Sequence, residues 1–160
     1  MDKGSSGFTL LEMLIAVAIM GVLTALALPY AGSFIETQRL KTGVETIVGD
    51  LHYARTESIK RNLAVAVTFT TNGSSSWSYV ATPALWNTKT NTMAPGIQLT
   101  SVTFAGQMVT FNPVRGTANS GQLVMATSDG SIQLRIGVGP LGQVTTCTQT
   151  ANPIGGYPAC

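Results

Sequence analysis

Residues 7–30 read GFTLLEMLIAVAIMGVLTALALPY (Gly7–Tyr30), and from Phe8 onward Glu12 is the one charged side chain in this run. At about 1.5 Å rise per residue, a helix over 8–30 matches a hydrocarbon core about 30 Å thick. The run is apolar on every helical face, whereas a helix lying on a protein core keeps a polar side. An acid inside such a run costs about 2.5–3.5 kcal/mol on insertion scales, so Glu12 calls for a cationic partner. The competing reading is a cleaved secretory signal with Ala25-Leu26-Ala27 as its small-x-small site, and Glu12 argues against it. Gly21 and Pro29 interrupt the run. Because proline removes a backbone donor and crowds the preceding turn, a local kink or unwinding is expected near Pro29.

On either side of this run the pattern changes. The segment before it, MDKGSSG, is short and polar. After it, Leu40, Val44, Ile47, Val48, Leu51, Ala54 and Ile59 recur at helical spacing. Arg39, Lys41, Glu45, Asp50, Glu57 and Lys60 fall on the other faces. This predicts that the helix continues to about Arg61 as an amphipathic stem with its apolar stripe on a sheet. From Asn62 the period becomes two: AVAVTFT, WSYVA, IQLTSVTF and MVTF read as strands. In QLVMATSDGSIQLRIGV, Asp129-Gly130 separates two β-prone runs and suits a type I′ hairpin, in which both central residues take positive φ. Asn72-Gly73 is expected to turn the first strand pair. Asn72-Gly73-Ser74 also fits a glycosylation sequon, a match common by chance.

Charge is sparse and unevenly placed. Of 160 residues, 44% are hydrophobic and 10% charged, with nine Lys plus Arg against seven Asp plus Glu and a net charge of +2. An average soluble domain carries about 25% charged residues. This composition excludes an acidic or basic disordered tail and a strongly electrostatic nucleic-acid binder. From Asn62 onward the charged residues are Lys89, Arg115, Asp129 and Arg135, so the second part is a neutral, hydroxyl- and amide-rich surface suited to an extracytoplasmic module. Cys147 and Cys160 enclose the Pro- and Gly-rich TQTANPIGGYPA. One disulfide there would contribute roughly 3 kcal/mol in the chain-entropy model and persist in an oxidising compartment. Two unpaired thiols are the alternative.

Gly7-Phe8-Thr9-Leu10-Leu11-Glu12, followed by the apolar run, resembles the processing site of type IV prepilins and type II secretion pseudopilins. The resemblance implies that a prepilin peptidase cuts after Gly7 on the cytoplasmic face and that the new amine of Phe8 is N-methylated. Glu12, fifth in the mature chain, then pairs with the N-terminal amine of a neighbouring subunit. The junction YARTESIKRNLAVAVTF (53–69) is similar to that of the GspH/FimT-type minor pilins and pseudopilins. Phe111-Asn112-Pro113-Val114-Arg115-Gly116 resembles their FxPxG turn with one extra residue, and Cys147 falls where their late cysteine lies.

What this implies is a pilin-like α+β fold, a long N-terminal helix packed on an antiparallel β head of two sheets or one curved sheet. The chain would comprise a leader (1–7), a membrane-spanning and assembly helix (8–30), an amphipathic stem (31–61) and a head with a C-terminal disulfide loop (62–160). The implied partners are other pilins or pseudopilins, the prepilin peptidase, the inner membrane and an assembly platform. The head would face the periplasm before the subunit enters a pilus or pseudopilus.

One branch of this subgroup binds DNA in natural transformation through a Gly-Arg-x-Arg element shortly before the cysteine. Here that stretch reads Gly142-Gln143-Val144-Thr145-Thr146-Cys147, without either arginine. Phosphate binding draws on Lys and Arg, leaving Lys89, Arg115 and Arg135 as the candidate nucleic-acid contacts in the head, and DNA is not the favoured partner. Trp77, Trp86 and Tyr157 are candidate stacking residues, buried or loop-anchoring aromatics being the commoner explanation. Arg55, Lys60 and Arg61 read first as cations favoured near a helix C-terminus, with Glu57 positioned for local pairs. His52 has no second histidine or nearby cysteine with which to build a zinc site. No Gly-x-Ser-x-Gly elbow or phosphate-cradling glycine loop is present, so neither an enzyme nor a cofactor is expected.

Overall fold

The computed structural model describes residues 8–71, 77–82, 96–150 and 154–160; the side chains of residues 27–31, 71 and 77–80 also lie outside that description. The chain forms two compact units, Met1–Ile35 and Glu36–Cys160. The expected Asn72-Gly73 turn, the sequon, Trp86, Lys89 and Gly7 fall outside the described residues, as does the side chain of Trp77.

Helix α1 runs from Leu10 to Arg61. Thr9 precedes it, its Oγ1 accepting the amide of Glu12 at 3.3 Å, which satisfies one of the donors that a helix start leaves orphaned. The helix is continuous through Pro29, so the unwinding expected there is not seen; one missing donor does not break a helix of this length. Its end is chemically explicit. Asn62 adopts a left-handed φ of 52°, and the amides of Leu63 and Asn62 return to the carbonyls of Ser58 and Ile59 at 3.2 and 3.4 Å. This is a Schellman closure, with asparagine at the position that tolerates positive φ.

In the second unit, α1 lies on two antiparallel sheets. β1 (Val65–Thr71), β2 (Trp77–Thr82) and β4 (Met108–Phe111) form one in the order β2-β1-β4. The other comprises β3 (Ile97–Val102), β5 (Gly121–Thr127), β6 (Gln133–Val138) and β7 (Val144–Thr148) in the order β3-β5-β6-β7. The fold is thus α+β, as expected. Period two places Val65, Val67 and Phe69 of β1 inward, and Leu134, Ile136 and Val138 of β6 likewise. A single core gathers these with Leu40, Val44, Ile47, Leu51 and Ala54 of α1. The rings of Phe69 and Phe104 stack within it, 6.2 Å apart. At the free edge of β4, Asn119 stands in for a strand: its Oδ1 accepts the amide of Thr110 at 2.6 Å and its Nδ2 donates to the carbonyl of Met108 at 2.7 Å.

Three details depart from the sequence-based expectation. Ile59 is 48% exposed, and Ser58 takes the stripe position in its place. The steps 40, 44, 47, 51, 54 and 58 alternate four and three residues, which leaves position 59 a further 100° round the helix. Ser58 is tolerated there because its hydroxyl donates to the carbonyl of Arg55 at 2.7 Å. The hairpin at Asp129-Gly130 is not type I′: Gly130 has φ 71° but Asp129 does not take positive φ, and the connection between β5 and β6 runs over residues 128–132. Finally, β7 was not expected, because VTTCT carries little apolar signal.

Candidate functional site

In the first unit every described side chain from Phe8 to Leu26 is exposed, on all sides of the helix. Phe8 itself is 82% exposed. An exposed apolar surface of this extent is a contact surface awaiting cover. Glu12 lies in its first turn, where the helix dipole favours an acid, between Leu11 and Met13. Among the described residues its carboxylate has no partner. Whatever covers the neighbouring apolar side chains also removes Glu12 from water, and that is costly unless a cation accompanies it. Among the described residues no helix is long and apolar enough to cross a membrane. The span expected over 8–30 includes residues 27–30, whose side chains lie outside those described.

In the second unit the structure separates the residues singled out from sequence. Cys147 and Cys160 are joined in a disulfide. Thr148 and Ala159 form a parallel bridge beside it, with the amide of Cys160 donating to the carbonyl of Thr148 at 3.0 Å. The segment so tied rests on α1. Lys41 Nζ donates to the carbonyl of Gly155 at 3.0 Å, and the hydroxyl of Tyr157 to Glu45 Oε1 at 3.3 Å. Burial, and secondarily the charge and hydrogen bond of Glu45, raise the Tyr157 pKa. Tyr157 is therefore a loop anchor rather than a displayed stacking platform.

Of the candidate cations, Lys89 lies outside the described residues, and the other two stand on different elements. Arg135 lies mid-strand in β6, its Nε donating to Cys147 Sγ at 3.3 Å, while Arg115 is exposed in the turn between β4 and β5. Gln143, standing where the DNA element has its first arginine, folds its Oε1 back to accept the amide of Leu141 at 3.1 Å. His52 is exposed on α1. Lys60 and Arg61 pair with Glu57 at 3.6 and 2.7 Å. The hydrogen bond from Arg61 holds the Glu57 carboxyl below its usual range. These are the local helix pairs expected.

Arg55 is a different matter, and its grouping with the helix-end cations needs correction. Its Nε donates to the carbonyl of Gly116 at 3.1 Å and its Nη2 to that of Leu141 at 3.0 Å. It therefore clamps the Phe111–Gly116 turn to the turn between β6 and β7. Both turns need their glycines: Gly116 and Gly142 have φ of 62° and 71°. A Cβ on Gly142 would run into the Gly116 carbonyl oxygen, and one on Gly116 would meet Arg55 and Ile59 at 2.9 Å. The amide of Ala118 completes the junction by donating to the carbonyl of Pro140 at 3.1 Å. The three stretches quoted above as a resemblance, around Arg55, Gly116 and Gly142, thus meet at one point. Their separate likenesses to one family were the only signal in the sequence, and that signal did not pair them.

The family described as type II transport protein GspH matches residues 43–142, and the prokaryotic N-terminal methylation motif matches residues 2–28. The chain is 41% identical over 60 residues to the type IV major fimbrial protein FimA of Dichelobacter nodosus, a match covering 31% of this chain and 38% of that protein's length. The type IV minor pilin FimU of Pseudomonas aeruginosa is similar in structure, with a TM-score of 0.52 and 17% identity. That match covers 70% of this chain and 90% of FimU.

Proposed function

The chain belongs to the GspH family of pilin-like proteins, and we propose that it is a minor pilin or pseudopilin subunit built into a type IV pilus or a type II secretion pseudopilus. In this reading a prepilin peptidase cleaves after Gly7, Phe8 is N-methylated, and residues 8–30 anchor the subunit in the inner membrane until the assembly platform passes it to the filament. Other pilins or pseudopilins then cover the apolar surface of the helix, and the head faces the periplasm or the exterior.

One observation carries the proposal: over residues 8–26, exposed on every face of the helix and almost wholly apolar, Glu12 is the lone carboxylate, four residues after Phe8 and without a partner among the described residues. Burial of each large apolar side chain among neighbouring stems contributes about 1.5–3 kcal/mol. That contact is non-directional along the stem, so a carboxylate meeting the Phe8 amine of an adjoining subunit supplies the register that hydrophobic burial lacks. A contact repeated head to tail without closing produces a fibre.

Mass spectrometry of the native protein is expected to find a chain beginning at methylated Phe8. Glu12→Ala is expected to leave membrane insertion intact and to reduce incorporation into filaments at least tenfold. A native N-terminus after Ala27, or unimpaired incorporation of Glu12→Ala, overturns the reading.

A further inference from the structure

Arg135 and Cys147 stand directly opposite each other on β6 and β7. They share the sheet face turned away from the core, since the alternate residues Leu134 and Ile136 are the fully buried ones. The two sulfurs of the disulfide consequently differ. Cys147 is half-buried with the Arg135 guanidinium against its Sγ at 3.3 Å, whereas Cys160 is exposed. Arg135 is the charged side chain in contact with Cys147; the strand neighbours Thr146 and Thr148 and the adjoining Ala159 are neutral. Exchange at a disulfide is governed by which sulfur can be reached and which one departs more readily as a thiolate, and a nearby cation favours the thiolate. Access selects Cys160 for attack, and charge selects Cys147 to leave.

We propose that this disulfide is made and opened at Cys160, and that Arg135 positions and stabilises Cys147 as the resolving thiolate. The oxidant is the disulfide of a thiol–disulfide oxidoreductase. The Cys160 thiolate attacks one sulfur of that bond, forming a mixed disulfide and expelling the oxidoreductase's other sulfur as a thiolate. The Cys147 thiolate, held by the guanidinium, then attacks Cys160 Sγ. The Cys147–Cys160 bond forms, the mixed disulfide breaks, and the oxidoreductase leaves as a dithiol. Two cysteine thiols have given up two electrons and two protons, and the oxidoreductase's disulfide has taken up both. Reduction follows the same path in reverse, with Cys147 as leaving group. Closure also secures the segment that Lys41 and Tyr157 dock on α1.

The test uses the oxidised full-length chain in detergent, exposed to reduced glutathione near neutral pH and quenched with N-ethylmaleimide. Mass spectrometry is expected to place the glutathione on Cys160 and the maleimide on Cys147. The rate of opening is expected to fall roughly three- to tenfold in Arg135→Gln and to recover largely in Arg135→Lys, because the charge and not the shape assists departure. The melting temperature of each oxidised variant separates this from a loss of fold, which would not move the site of the adduct. Glutathione on Cys147, or an unchanged opening rate in Arg135→Gln that melts like the unaltered chain, overturns the proposal. If Arg135→Gln does not fold, the adduct position in the unaltered chain decides alone.

Discussion

Asp129 shows how one carboxylate shapes a turn. Its Oδ1 accepts the Thr127 hydroxyl at 2.6 Å, the Ser131 amide at 3.0 Å and the Ser131 hydroxyl at 2.9 Å. The Thr127 bond, then those of Ser131, favour the charged form and lower the Asp129 pKa to about 2 from an ordinary value of 3.8. A folded value below the unfolded one means that the contribution to stability is fully present above about pH 4 and is lost as pH falls through 2. Thermal melts from pH 5 to 2 should therefore show a steeper acid decline in the unaltered protein than in Asp129→Asn, whose side chain does not titrate. The dipeptide was legible as a hairpin turn, but its type was not. Type I′ requires positive φ at both central residues, and the carboxylate's three bonds stabilise a longer loop with one.

At the scale of elements, the stripe from Leu40 to Ala54 was readable because helical period and burial coincide there. Its last turn was not. Glu57 pairs with Arg61 and Lys60 as expected, yet it is only 5% exposed, where an apolar-count reading assigns a charged side chain to solvent. The junction of Arg55 with the Phe111–Gly116 and Gly139–Gly142 turns joins segments far apart in the chain, so no local pattern could disclose it. Gly142→Ala would place a Cβ at positive φ against the Gly116 carbonyl. The expected destabilisation is about 2–4 kcal/mol, from the left-handed backbone and the overpacking together, and urea unfolding of the chain measures it. A loss below about 1 kcal/mol would mean that the two turns can separate without consequence.

For the whole molecule, the two compact units differ in what they leave uncovered. The described apolar side chains of the first are all exposed, whereas the second gathers most of its own into a core and leaves only scattered ones such as Ile59 and Val114 uncovered. A chain beginning at Glu36 is expected to be monomeric by light scattering without detergent and to keep the cooperative melt of the second unit, while the full-length chain associates. Association of the shorter chain at micromolar concentration would show that the second unit also carries a self-associating face. By itself, the sequence determined the apolar helix with its single acid, the amphipathic continuation to Arg61 and most strands, and offered two cysteines as a candidate pair, because each is written in residues close together or of one rare type. Only the tertiary structure decided that Arg55 clamps two turns, that a threonine-rich stretch becomes β7, and that Arg135 lies against one sulfur of the disulfide. Each of these depends on groups brought together by strand register and helix packing, and such energies belong to pairs of distant residues rather than to any stretch of chain.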